Sequence, residues 1–422
     1  MPIDLTGENR DVTRAVEVIR ALLGDAHVTP RTATSFAEDA LGVLEAQHTV
    51  IKIATTPATA VAVGLAVSRL VAEHDAESGP ACHTDPPSWL SIDLGDGADR
   101  IPGDAAFAFR AGTLADAPVV LRCETEYRET LSVGVVTRSC DVAVGEAVRD
   151  RIRAAAEELN PLKGRAIAVS FHGGMTFRAF ELTGDRADVV VPDRVWAEID
   201  LSVRAVTTHA EQLRRLGFRA ARGVLLCGPP GVGKTAVSRA VAAELVGDFT
   251  VIVVGAAAIG AGLASVYAAA VELGRCVVIL DDVDLAVRRR GDGDDTALAS
   301  LLDALDGVDQ SAEVLTIATT NDPRSLDGAA TRATRFDSVV EVGYPNREAL
   351  IGILRRRTVG LGLTDGDVAS IADALPTETS GADVGALVRR VVLANAGTDL
   401  EAFLTEVRRR GWLAAVPVGQ YL

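Results

Sequence analysis

The stretch Arg222-Gly-Val-Leu-Leu-Cys-Gly-Pro-Pro-Gly-Val-Gly-Lys-Thr235 decides the fold. Val224 to Cys227 is apolar and β-favouring, which predicts a buried strand. Gly228 to Gly233 cannot hold regular structure, and Thr235 to Leu245 reads as a helix. Strand, glycine loop and helix in that order make Gly-x-x-x-x-Gly-Lys-Thr a phosphate cradle rather than a chance match. Gly228, Gly231 and Gly233 let backbone N–H groups turn inward, and the helix N-terminus adds partial positive charge. Pro229, Pro230, Val232 and Ala236 complete the expected nucleotide-binding segment. Lys234 can reach the β- and γ-phosphates of a bound nucleotide, and the Thr235 hydroxyl can ligate Mg²⁺.

A chain of 422 residues is too long for one core and predicts two or three domains. Net charge of −16 and a pI of 4.9 argue against a nucleic-acid or anionic-membrane surface over the whole molecule. Lysine is nearly absent (Lys52, Lys163 and Lys234), so Lys234 in the glycine loop stands out. Cys82, Cys123, Cys140, Cys227 and Cys276 form no Cys-x-x-Cys pair, which suits a reducing cytoplasm better than a disulfide framework. The first residues lack the basic and apolar regions of a signal peptide, again in keeping with a cytoplasmic location.

Residues 1–190 read as an α+β domain of unassigned role. Helical spacing occurs over Asp11–Leu23, Ser35–Ala46 and Val142–Leu159, and strands are expected at Thr49–Ala54, Val119–Glu124 and Leu131–Thr137. The uncharged run Ile53–Ser68 holds Pro57 and is only about 16 residues, short of the ~20 that a membrane span needs. A buried helix over Ala58–Glu73 is expected there instead. Arg165–Phe171 and Thr176–Leu182 read as a hairpin across His172-Gly-Gly-Met175. Histidines and cysteines of this half show no metal-ligand spacing.

From Val189 the pattern alternates. A helix over Trp196–Arg215 leads into the glycine-loop strand. Phe249–Val254 is a strand, Gly255–Gly262 a Gly/Ala-rich turn, and Leu263–Leu273 a helix. Cys276–Leu280, Val314–Thr319 and Val339–Val342 are further strands, with a charged loop Arg288–Asp295 and a helix through Leu305 between the first two. Such alternation implies a mostly parallel α/β sheet with ligand groups at the strand C-termini. A carboxylate there supplies Mg²⁺ from the side opposite Thr235, and Asp281 fits, through ordered water. Asp282 is placed to activate the attacking water, and Asn321 to hold that water or the γ-phosphate. The competing reading of an Asp pair at a strand end is a turn or helix cap.

Taken together, Gly228–Thr235, Asp281-Asp282, Thr319-Thr-Asn321-Asp-Pro, Leu326-Asp-Gly-Ala-Ala-Thr-Arg332-Ala-Thr-Arg335-Phe-Asp337 and Ser380-Gly-Ala-Asp383 resemble the AAA group of AAA+ ATPases over about residues 190–400. The resemblance implies a P-loop NTPase domain at 191–343 and a helical lid at 344–422, with ATP and Mg²⁺ as cofactors. It also implies an Asn sensor at Asn321, arginine fingers at Arg332 and Arg335 acting on a neighbouring subunit, and Gly381 and Ala382 closing over the adenine side. The implied assembly is a homo-oligomeric ring, a hexamer by family precedent, in which hydrolysis remodels or moves a protein partner.

Several features depart from the family pattern. Asp281-Asp282 replaces the usual Asp-Glu, which draws the carboxylate back by one methylene and leaves open a slowly hydrolysing, nucleotide-gated assembly protein. That acidic pair, with Ala299–Val308 and Leu216–Gly223, is similar to the mitochondrial Rieske-protein translocases of the family, while the Ser380–Asp383 lid signature is typical of other branches. Gly255–Gly262 lacks the aromatic paddle of threading unfoldases and offers only Ile259. Arg288-Arg-Arg290 lines a lower pore or is a solvated loop. No His-Glu-x-x-His and no Gly-x-Ser-x-Gly occurs in the 422 residues.

Overall fold

The computed structural model describes residues 31–93, 98–126, 130–171, 173–284, 312–322, 336–394 and 398–409. The helix expected over Asp11–Leu23, the Arg288–Asp295 loop with the helix after it, and both finger arginines, Arg332 and Arg335, lie outside those residues. The chain divides into two compact units, one ending at Asn160 and one beginning at Pro161.

The first unit is built on a five-stranded antiparallel sheet. Its strands are β1 (His48–Ile53), β2 (Glu77–Gly79), β5 (Ala105–Phe109), β6 (Val119–Glu126) and β7 (Thr130–Arg138), in the order β1-β7-β6-β5-β2. A separate hairpin pairs β3 (Trp89–Asp93) with β4 (Ala98–Pro102). Helix α1 (Ala33–Leu41) sends Phe36 and Leu41 into a small cluster with Ala106, Val120 and Val136. The alternate residues of the same strands, Phe107, Leu121, Val133 and Val135, pack with α2 (Ala60–His74) and α3 (Val142–Leu159). Period-2 alternation thus puts one apolar set on each face of the sheet. The helix expected over Ala58–Glu73 is α2, Ala60–His74, and it buries Ala62, Val63, Ala66, Val67 and Leu70. Among the described residues no helix is long and apolar enough to cross a membrane.

The second unit carries a seven-stranded sheet. In chain order these are β8 (Ala166–Phe171), β9 (Met175–Phe180), β10 (Arg222–Cys227), β11 (Thr250–Val254), β12 (Cys276–Leu280), β13 (Val314–Thr320) and β14 (Ser338–Glu341), arranged β14-β10-β13-β12-β11-β8-β9. All neighbours are parallel except the edge pair β8–β9. Every residue of β12 and β13 is buried, as strands covered on both faces must be. The hairpin expected within residues 1–190 therefore belongs to this sheet: Ala166, Ile167 and Ala168 pair with Val251, Ile252 and Val253. The boundary expected at 190 moves to 160 because backbone pairing, not local hairpin chemistry, decides which core the hairpin joins.

Two further expectations change. The helix expected over Trp196–Arg215 is two helices, α4 (Asp193–Val206) and α5 (Ala210–Arg215). The break falls where the Thr207 and Thr208 hydroxyls donate back to the carbonyls of Val203 and Arg204, competing with the helical ladder. Gly255–Gly262 is not a turn. Its alanines start α7 (Ala256–Leu273), which bends at Gly262 (φ −179°, ψ 53°) against the Phe171 ring. Ile259 is consequently buried, 5% exposed.

The glycine-loop helix is α6 (Lys234–Leu245). Beyond β14 come α8 (Arg347–Arg357), α9 (Asp365–Ala374), α10 (Gly381–Leu393) and α11 (Leu400–Arg409), with a core of their own around Leu350, Leu354, Ile371, Leu387 and Phe403.

Candidate functional site

Strand register brings the chemistry together. Leu226 and Cys227 of β10 lie beside Thr319 and Thr320 of β13, and the Gly228 N–H donates to the Thr320 carbonyl at 3.3 Å. On the other side of β13, Leu280 pairs with Ala318, so Asp281 leaves β12 level with Thr319. The glycine loop, the acidic pair and Asn321 thus emerge at one edge, where β10 and β11 are separated by two later strands. Such a topological switch point is where open α/β sheets bind ligands.

The loop geometry requires its glycines. Gly228 sits at φ 153°, and a Cβ there would lie 2.0 Å from the Val342 carbonyl oxygen. Gly231 sits at φ 78°, and a Cβ would meet Ala382 Cβ and Ser380 Oγ at 2.7 Å. The loop and the lid are therefore in direct contact, and the Ala382 N–H donates to the Gly231 carbonyl at 3.1 Å. Ser380 caps α10 through a reciprocal box with Asp383, which fixes Gly381 and Ala382 against the loop.

Lys234 is 5% exposed. Its ammonium donates to the carbonyls of Gly228 (2.8 Å) and Pro229 (2.7 Å) and to Asn321 Oδ1 (2.8 Å). Burial lowers its pKa, against the opposing fields of Asp282 and Asp284. The Thr235 hydroxyl donates to Asp281 Oδ1 at 3.2 Å, and Thr319 Oγ1 donates to the same oxygen at 3.3 Å. Burial raises the pKa of Asp281, and these two hydroxyls pull it back down. Asp282 stands in the left-handed region at φ 53°, its N–H given to Thr319 Oγ1 at 2.9 Å. Asn321 Nδ2 donates to Asp282 Oδ1 at 3.2 Å, so one amide spans the lysine and the acid.

These groups border a cleft of about 780 Å³ lined by Pro230 to Ala236, Asp282, Asn321, Gly381 and Ala382. Gly228, Pro229 and Asp281 do not line it but accept hydrogen bonds from Lys234 and Thr235, which do. The sequence reading missed the opposite wall: Asp188, Val189 and Val190 before α4, and Ile353, Arg356 and Arg357 of α8. Arg356 meets Asp188 at 3.3 Å. The available signals were the change of pattern at Val189 and the arginine run ending α8.

Hard oxygens from Thr235 and Asp281 suit Mg²⁺, and no cluster of three or more His, Cys, Asp or Glu among the described residues could hold a metal alone. An ion here would take its remaining ligands from phosphate and water, the usual habit of Mg²⁺.

Residues 224–344 match the family model of the ATPase family associated with various cellular activities (AAA). The chain carries an AAA domain. The usual cofactors of that family are ATP and Mg²⁺. The chain is similar to the ATP-dependent zinc metalloprotease FtsH of Rubrobacter xylanophilus, at 32% identity over 51% of this chain and 36% of that protein. It is also similar to the ATPase family gene 2 protein of Schizosaccharomyces pombe, at 33% over 51% of this chain and 28% of that protein. FtsH 1 of Thermomicrobium roseum is 35% identical over 44% of this chain and 30% of its own length. The chain thus spans about a third of the length of the curated relatives it matches. No His-Glu-x-x-His sequence accompanies the AAA domain in these 422 residues.

Proposed function

We propose that this chain is a Mg²⁺-dependent ATP hydrolase that assembles into a ring, a hexamer by family precedent, and uses turnover to remodel or move a protein partner. The observation that carries the reading is the convergence of Lys234, Thr235–Asp281, Asp282 and Asn321 on one cleft between sheet and lid. Lys234 and the loop N–H groups bind the β- and γ-phosphates, Asp281 and Thr235 orient the metal, and Asp282 polarises water under the control of Asn321. Arg332 and Arg335 act on the nucleotide of the adjacent subunit. The buried Ile259 and the absence of an aromatic residue from Ala256–Gly262 support displacement of a folded partner over gripping of an extended chain. The three buried cysteines fit a reducing compartment such as the cytoplasm.

Turnover measured against protein concentration tests this. Rate per chain should rise as subunits associate, and Arg335→Ala should lower it by roughly 10³-fold or more, the size of a finger supplied in trans. Full-rate hydrolysis by a strict monomer would contradict the reading. A second reading, a nucleotide-gated assembly protein that hydrolyses slowly, is favoured by one observation: the short Asp282 side chain is engaged by Asn321. Rings that persist on ATP with negligible phosphate release would select it.

A further inference from the structure

Asp284 stands behind the cleft, 3% exposed, three residues beyond the metal-side acid. A buried carboxylate is unfavourable unless hydrogen bonds and opposite charge compensate it. Here Oδ1 accepts from the Thr320 hydroxyl at 3.2 Å and from the Asn321 N–H at 3.1 Å. Thr320 Oγ1 in turn accepts from the Asp322 N–H at 3.1 Å. The end of β13 is therefore gathered onto one carboxylate from the segment that follows β12. The reverse tie runs beside it, with Thr319 of β13 accepting from the Asp282 N–H. Two reciprocal ties lock the strand ends together, and the Asn321 amide lies between them, 2.8 Å from Lys234 and 3.2 Å from Asp282.

We propose that Asp284 is the positioning residue of the sensor Asn321, an inference that rests on the ATP hydrolysis proposed above. It does not line the cleft. Its charge-assisted bonds fix the Asn321 backbone, so that the amide holds its place as Lys234 turns to phosphate. Without that anchor the strand end pivots, and the amide no longer spans the lysine and the acid.

The test is a double-mutant cycle in the full chain: wild type, Asp284→Ala, Asn321→Ala and the pair, with Asp284→Asn alongside. Turnover is read at saturating Mg-ATP, and affinity by titration with a fluorescent ATP analogue. Asp284→Ala should lower kcat by roughly 10- to 100-fold, the cost of a small misplacement, with affinity little changed. In the Asn321→Ala background the same change should cost less than about twofold, because the route through the Asn321 amide is gone. Asp284→Asn keeps an acceptor oxygen and should recover most of the rate. An equal loss in both backgrounds, or affinity falling in step with kcat, overturns the proposal. Should Asp284→Ala not fold, Thr320→Val replaces it in the cycle with the same expected dependence on Asn321. If the wild type turns over no ATP, the hydrolase reading fails, and the side-chain amide resonance of Asn321 in ¹⁵N-asparagine-labelled protein decides the positioning: Asp284→Ala, or Thr320→Val where that does not fold, should move it, and an unmoved signal overturns the proposal.

Discussion

Lys234 and Asn321 are bonded to each other: the ammonium donates to Oδ1 at 2.8 Å, across the gap between the first helix of the nucleotide fold and the end of β13. In this arrangement the ammonium and the side-chain amide satisfy one another. On the function proposed above, binding of a triphosphate exchanges that bond for bonds to phosphate oxygens and so links occupancy of the cleft to the freedom of Asn321.

Removing the cation should therefore act mainly on binding. Lys234→Ala is expected to weaken ATP by about 100-fold or more, since several charge-assisted bonds of about 1.5–3 kcal/mol are lost. Calorimetric titration of the variant measures this, and near-native affinity would deny Lys234 its phosphate role.

Asp282→Asn should leave binding intact and stop turnover. At φ 53° asparagine is at least as well accommodated as aspartate, so the thermal midpoint should move little, within about 0.5 kcal/mol of stability. Asp282→Glu restores the usual reach of the acid. Faster single-turnover hydrolysis by that variant would identify side-chain length as the brake.

The two glycines predict different defects. Gly228→Ala sets a Cβ against the backbone oxygen of Val342, which cannot swing aside, and should destabilise the fold by about 2–4 kcal/mol. Gly231→Ala presses on Ser380 and Ala382 of the lid, so its effect should fall on ATP affinity more than on global stability. Denaturant melts beside nucleotide titrations separate them.

Ser380→Ala removes the cap that holds Gly381 and Ala382 against the loop. A loss of about 1 kcal/mol is expected, with amide exchange accelerated in the first turn of α10 rather than throughout the sheet.

The pH dependence follows from one half-buried and one buried group. Asp281 must be ionised to serve Mg²⁺, and burial raises its pKa above the ordinary 3.8. Mg-dependent activity should therefore fall on acidification at a higher pH than an exposed carboxylate would give. Lys234 must be charged, and burial lowers its pKa below 10.5, so ATP affinity should decline on the alkaline side earlier than for a free lysine. Activity and binding profiles at fixed free Mg²⁺ check both limbs.

The local chemistry of residues 222–245 fixes strand, loop and helix, because glycine spacing, β-favouring residues and an alanine-rich helix act over neighbours in sequence. The acid pair and Asn321 were legible for the same reason: each follows a short β-favouring strand, wholly apolar in β12 and apolar with threonine in β13. Helix α3 likewise keeps its expected bounds, since an amphipathic stripe is a periodic signal. What sequence could not decide depends on partners distant along the chain. The hairpin at 166–180 joins the parallel sheet through pairing with β11, some eighty positions away, which no local pattern encodes. Asp188 and Arg356 meet only because the lid returns to the start of the domain. Asp284 looks like any turn aspartate until β13 is laid beside β12. Nearest-neighbour physics wrote the elements, and long-range backbone pairing placed the groups that meet at the cleft.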